Sequence, residues 1–237
     1  MLTRDALLGS LARDQAAFVE LLRDADLGAN VPDCPGWTLA DLGGHLGGVH
    51  GWARSAVVAG EPSEPPEPPA DPAALADWYA DQAAALLDTL VTTPSGTECW
   101  TFGPRPRTVD FWVRRQPHET AVHLRDARRA LGRDVAMDPR LAADGVDEVV
   151  TMFFPRQVRL ERIPPLAAGV RLVATDSDDG PWLLAGDGPD PGSAYDATLT
   201  GTAESLLLWL WRRHGGELRV DGDDTAVAAA YAAALTP

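Results

Sequence analysis

Glu119 and His123 stand four apart in the run HETAVH, residues 118–123, of a 237-residue chain with five histidines. On a helix, side chains four apart differ by only about 40° around the axis and can face one point. His118, five before His123, lies about 140° away and points elsewhere. The same arithmetic separates His45 from His50 in GGHLGGVHGWA, so at most one of each pair is expected to face the interior. His45 follows Leu42 by three and precedes Val49 by four, which puts it on an apolar stripe and displaces His50 from it. His45 on one helix facing Glu119 and His123 on another would supply two imidazoles and one carboxylate. That set suits Zn²⁺ with an open fourth position, or non-haem iron with more than one, and it accepts nickel as well. The plainer account is a solvated helix face and a satisfied core histidine. Pro117, two residues before Glu119, removes a backbone donor and could kink the helix that carries the clamp.

The rest of the composition narrows the chemistry. A formal net charge of −15 speaks against nucleic acid and against an anionic membrane surface as partners. Every basic residue is arginine, which reads as a GC-rich coding bias. No apolar run approaches the roughly 18 residues of a membrane helix, and MLTRDALLGSLARDQ lacks a signal peptide's apolar block. A cytoplasmic location is expected. Cys34 and Cys99 have no CxxC spacing and are expected as free thiols. Cys34 sits in the turn PDCPGW near a helix start, a setting that can lower a thiol pKa, but no general base is placed beside it in the sequence.

Four helices are expected in the first half, at 3–26, 38–59, 72–92 and 109–131. In the first, Leu7, Leu8, Leu11, Phe18, Val19 and Leu22 form one stripe. Thr38 with Asp41 caps the second, Thr108 is the candidate cap of the fourth, and Gly132 closes it. Between the second and third, EPSEPPEPPADP at 61–72 cannot be helical and is long enough to cross the end of a bundle. From about 146 the period changes. GVRLVATD, GPWLLAGD, SAYDATLTGTA and ELRVDGD read as strands, SLLLWLWRRHG and DTAVAAAYAAAL as helices, and VDEVVTMFFPRQ fits either. The expected fold class is α+β: a four-helix bundle over 1–140, then a small α+β domain over 146–237.

The blocks VPDCPGWTLADLGGHLGGVHGWA and RRQPHETAVHLRDA resemble the signature blocks of the mycothiol-dependent maleylpyruvate isomerase family of actinobacteria. LTGTAESLLLWLWRR followed by LRVDGD looks like that family's C-terminal domain. The resemblance implies a DinB-like metal-binding bundle with zinc on His45, Glu119 and His123, the triad that helix geometry also selects. The family more often has a small residue where Pro117 stands. It also implies an arginine of the C-terminal domain, for which Arg212, Arg213 and Arg219 are candidates.

The activity implied is a zinc-dependent, thiol-dependent isomerase or transferase with mycothiol as cosubstrate, acting on a small electrophile as monomer or homodimer. A metal-activated water would instead make a hydrolase, and a structural metal would make a non-catalytic ligand-binding protein. His50 and His118 are expected at the surface or as outer partners of a ligand. Trp37 and Trp52 are expected in the core, with Trp37 able to line a pocket. Arg114 and Arg115 either steer an anion or pair with acids one turn away.

Overall fold

The structure, a computed structural model, describes residues 2–133, 135–189 and 194–237. Two compact units divide the chain, Thr3–Val135 and Met1–Leu2 with Ala136–Pro237. The class is α+β, as expected.

Four long helices make the first unit: α1 (Arg4–Asp24), α2 (Leu39–Val58), α3 (Leu75–Thr92) and α4 (Val109–Ala130). Local chemistry sets their ends. Thr3 accepts from the Ala6 amide at the start of α1. At α2, Thr38 and Asp41 form a full capping box, which satisfies two donors the helix would otherwise leave bare. Beyond α4, Gly132 takes φ 65°, a left-handed value that glycine adopts without strain. The helix continues through Pro117, so the proline that could have kinked α4 does not end it.

Both α1 and α2 pack chiefly on α3 and α4. Phe18, Leu39, Leu42, Leu46, Tyr79 and Leu124 fill the shared core. Each large apolar side chain buried there contributes about 1.5–3 kcal/mol. The buried stripe of α2 runs Leu39, Leu42, Leu46, His50, Ala53, not Leu42, His45, Val49. His50 is fully buried, and His45 stands at the stripe's edge. Five glycines on α2 hid this, because glycine faces bury as readily as apolar ones but carry no hydropathy signal.

Those glycines also explain the proline-rich segment, which lies along α2 and not across the end of the bundle. A Cβ at Gly47 would collide with the Trp78 ring, one at Gly51 with Pro66 and Gln82, and one at Gly44 would come within 3.1 Å of Pro68. Bare helix surface is what lets the indole and the prolines seat.

The second unit begins with α5 (Pro139–Glu148), a π-helical turn over Val149–Phe153 and α6 (Phe154–Arg159). The ambiguous run VDEVVTMFFPRQ is therefore helical; Val149, Val150, Phe153 and Phe154 are all buried, and burial on several sides erases the periodicity that would have told helix from strand. β1 (Leu166–Ala174), β2 (Trp182–Gly186), β3 (Ala197–Gly201) and β4 (Arg219–Gly222) form one sheet in the order β2-β1-β3-β4. β1 pairs antiparallel with β2 and parallel with β3, and β3 pairs antiparallel with β4. Ser193, the first residue of the segment read as a strand, lies outside the described residues. α7 (Ala203–Leu210) and α8 (Asp224–Ala232) both pack on β1 and β3. Among the described residues no helix is long and apolar enough to cross a membrane.

Candidate metal centre

α2 and α4 bring His45, Glu119 and His123 together. One donor atom from each lies within 4.8 Å of the others. Glu119 Oε1 is 3.4 Å from His45 Nε2 and 3.4 Å from His123 Nε2. Both distances are long for hydrogen bonds. They match the edge of a tetrahedron: donors about 2.0–2.1 Å from one centre at tetrahedral angles stand roughly 3.3–3.4 Å apart. Those two edges and the chemistry of the donors, two imidazoles and a carboxylate, are compatible with a zinc-sized ion.

The second carboxylate oxygen of Glu119 accepts from Arg115 Nη2, one turn earlier on α4. Both side chains are largely buried. Pairing with Glu119 is thus the part of the Arg115 reading that the geometry bears out. It leaves a single oxygen, Oε1, facing the histidines. Burial by itself pushes the Glu119 carboxyl up, but Arg115 and the two imidazoles outweigh it and hold the group well below the ordinary carboxylate range. Glu119 is an anion at neutral pH.

His123 is oriented from behind. Its Nδ1 lies 3.1 Å from Asp126 Oδ2, and the Asp126 side chain is wholly buried. With the ring proton on Nδ1, Nε2 presents its lone pair to the other donors, the arrangement that metal-ligating histidines usually have. Cys34 Sγ donates to the same Asp126 oxygen at 3.4 Å. Burial pushes the His123 imidazole down, while Asp126, Cys34 and Glu119 together raise it well above the usual value. Cys34, His123 and Asp126 form a second cluster of donor atoms, again within 4.8 Å. The sequence reading placed no base beside Cys34. The fold supplies Asp126 and His123, because the turn carrying Cys34 lands against α4.

Asp126 was not singled out from the sequence, though its i, i+3 spacing from His123 was a usable signal. Asp126→Asn is expected to weaken zinc binding about 10–100-fold. A competition titration with a chromogenic chelator measures that.

The other histidines depart from expectation. His118 and His123 are both buried, because α4 is covered around most of its circumference. His50 Nδ1 is 2.8 Å from Gln116 Oε1, and Nε2 is 3.3 Å from the Tyr79 hydroxyl. Burial lowers the His50 pKa to about 4, so the ring is neutral in the fold. A base whose folded pKa lies below its unfolded value of about 6.5 stabilises fully above that value and loses the contribution as pH falls toward 4. In metal-free protein this costs about 3 kcal/mol across the window. Chemical denaturation at a series of pH values should show His50→Gln losing about one proton of that slope.

Trp37 packs its ring on His45, with centroids 4.9 Å apart. Trp52 joins Trp100, Phe102 and Trp112 in an aromatic cluster. In the second unit, Arg219 pairs with Asp221 at 2.9 Å, and Arg212 lies over the Tyr231 ring. Arg213 lines a cavity of about 240 Å³ with Trp209 and Tyr231.

The bundle, its convergent His₂Glu donors and the small sheet unit define a two-unit α+β protein with a candidate mononuclear metal site. The chain belongs to the mycothiol maleylpyruvate isomerase family: the family's N-terminal domain matches residues 8–128 and the MDMPI C-terminal domain matches residues 140–229. Among solved structures it is similar to the crystal structure of the mycothiol-dependent maleylpyruvate isomerase and to that of a histidine-to-alanine mutant of it. In each case the TM-score is 0.67 at 14% identity, over 94% of this chain and 95% of the other. At that identity the likeness speaks to the fold. A comparison with curated protein sequences gave no match.

Proposed function

We propose that the chain is a zinc- and mycothiol-dependent enzyme that isomerises, or conjugates, a small cis-enedioic electrophile. The observation that carries this reading is the convergence of His45, Glu119 and His123, with Glu119 Oε1 3.4 Å from each of the two imidazole Nε2 atoms. Three protein donors leave a position open, which favours chemistry over scaffolding. Zinc held there would supply a Lewis acid that lets a thiol ionise at neutral pH.

The residues of this chain have separable tasks. His45, Glu119 and His123 hold the ion. Arg115 keeps Glu119 ionised and fixes which oxygen it offers. Asp126 sets the His123 tautomer. In the reaction itself, a thiolate adds to the substrate double bond and the electron pair moves onto the conjugated carbonyl. Rotation about the resulting single bond follows, and expulsion of the thiolate restores the double bond in the trans form. No oxidant or reductant is needed. If the enolate left by the addition is instead protonated at carbon by a proton from solvent and the thioether is released, with no expulsion of the thiolate, the activity is a transferase.

The test is turnover of maleylpyruvate by zinc-loaded protein with and without mycothiol. Isomerisation only with the thiol supports the reading. Turnover to a hydrolysed product without thiol would replace it with a metal-water hydrolase.

A further inference from the structure

His123 has two ring nitrogens, and the candidate metal centre uses one of them. Nε2 faces Glu119, whereas Nδ1 lies 3.1 Å from Asp126 Oδ2. The same carboxylate oxygen is 3.4 Å from Cys34 Sγ, and one donor atom from each of Cys34, His123 and Asp126 lies within 4.8 Å of the others. The fold builds this convergence. The Cys34 amide donates to the Val31 carbonyl and the Trp37 amide to the Cys34 carbonyl, and Gly36 takes φ 86° inside the turn so closed. Asp33, one residue before Cys34, pairs with Arg129 of α4 at 3.3 Å. Two successive residues of the turn are thereby fastened to α4, all within the first unit.

Charge and donor softness separate this set from the first. A Cys34 thiolate and the Asp126 carboxylate carry two negative charges, which neutralise a divalent ion at a place where the Asp126 side chain is wholly buried. His45, Glu119 and His123 supply one. Holding a buried ion costs least where its ligands cancel its charge. A sulfur donor also favours thiophilic cations, while imidazole and carboxylate suit zinc. Cys34 is half-buried on a surface turn, so an ion need not cross the bundle core to reach it.

We propose that Cys34, Asp126 and Nδ1 of His123 form a second metal position, selective for thiophilic cations such as cadmium, and that filling it expels zinc from the first. The exclusion follows from the imidazole ring. A neutral ring has one free lone pair for its two nitrogens. Offering Nε2 to zinc requires the proton on Nδ1, and offering Nδ1 to a second ion requires it on Nε2. When cadmium enters, the Cys34 S–H proton goes to solvent, the ring proton ends on Nε2, and nothing is oxidised or reduced. His45 and Glu119 alone then face the first position. The proposal rests on the zinc reading of that position and adds to it a means of inhibition by soft metals.

Cadmium chloride is titrated into wild type, Cys34→Ser and His45→Ala after zinc loading. The readouts are the ultraviolet thiolate-to-cadmium charge-transfer band and, after desalting, cadmium and zinc content by elemental mass spectrometry. Serine keeps a donor for Asp126 while removing the thiolate, and Cys34→Ala replaces it if serine disturbs the turn. Cys99 is present throughout, so a band that survives in Cys34→Ser belongs to Cys99. In wild type the band should saturate at about one equivalent while zinc leaves in step. Cys34→Ser should show no band and need about tenfold or more cadmium for the same zinc loss. His45→Ala, short of a donor for the first position only, should keep the band. Zinc loss without a band in wild type, or equal zinc loss in Cys34→Ser, would mean that cadmium takes the first position, and the proposal would be overturned. A band with zinc retained, or a band lost in His45→Ala, would overturn it too. If wild type holds no zinc at the outset, the zinc reading fails by itself, and the band in metal-free wild type against Cys34→Ser still decides the second position.

Discussion

Glu119→Gln is expected to reduce zinc affinity by about 10³-fold or more, because it removes the only anionic donor from a three-residue set. Glutamine keeps the volume, and its carbonyl can still accept from Arg115. The fold should survive with a modest loss of about 1–2 kcal/mol, the cost of leaving a buried guanidinium with a neutral acceptor. Glu119→Ala is the wrong variant for this purpose. It would strand Arg115, and a fall in zinc content could then reflect unfolding. Equilibrium dialysis against zinc, beside a denaturation curve for each protein, separates the two effects. If Glu119→Gln bound zinc as tightly as wild type, Glu119 would not be a ligand.

The second large effect is expected at Arg115, which reaches no metal. Arg115→Met should cost about 3–5 kcal/mol in metal-free protein, since it leaves the Glu119 carboxylate buried without its main counter-charge. Zinc should recover part of that loss, because the ion neutralises the same carboxylate. The variant is therefore more metal-dependent in stability than wild type, measured as the shift in denaturation midpoint on adding zinc. The pH dependence has a definite sign. Glu119's folded pKa lies below its ordinary value, so its contribution is full above about 4.5 and is lost as pH falls below that. In Arg115→Met that acid-side loss should shrink. An equal cost with and without zinc would mean that Arg115 and the ion do not share Glu119.

Much of the site was legible because helical geometry is regular. Four-residue spacing on a helix makes Glu119 and His123 neighbours on one face, and the opposed sign of Arg115 one turn earlier is readable in the same way. His45 was found for an incomplete reason. Its stripe was drawn through Val49, whereas Leu46 and His50 mark the buried line, and His45 reaches the centre from the edge of that line. The partners of Cys34 and the course of the proline-rich segment were beyond sequence reasoning. One depends on where a turn lands against α4, the other on prolines seating against glycines that carry no hydrophobic signal. Fold class was readable wherever amphipathic periodicity survived. Helix and strand stayed undecided over residues 146–157, where burial on several sides left no clear polar face to set the period.

The measurement that bears most directly on the account is zinc content by elemental mass spectrometry after dialysis against zinc, for wild type, His45→Ala and Glu119→Gln. The account expects about one equivalent in wild type, as for a mononuclear three-residue site, and little in either variant while both stay folded. Zinc-free wild type after dialysis, or one equivalent retained by both variants, would contradict it.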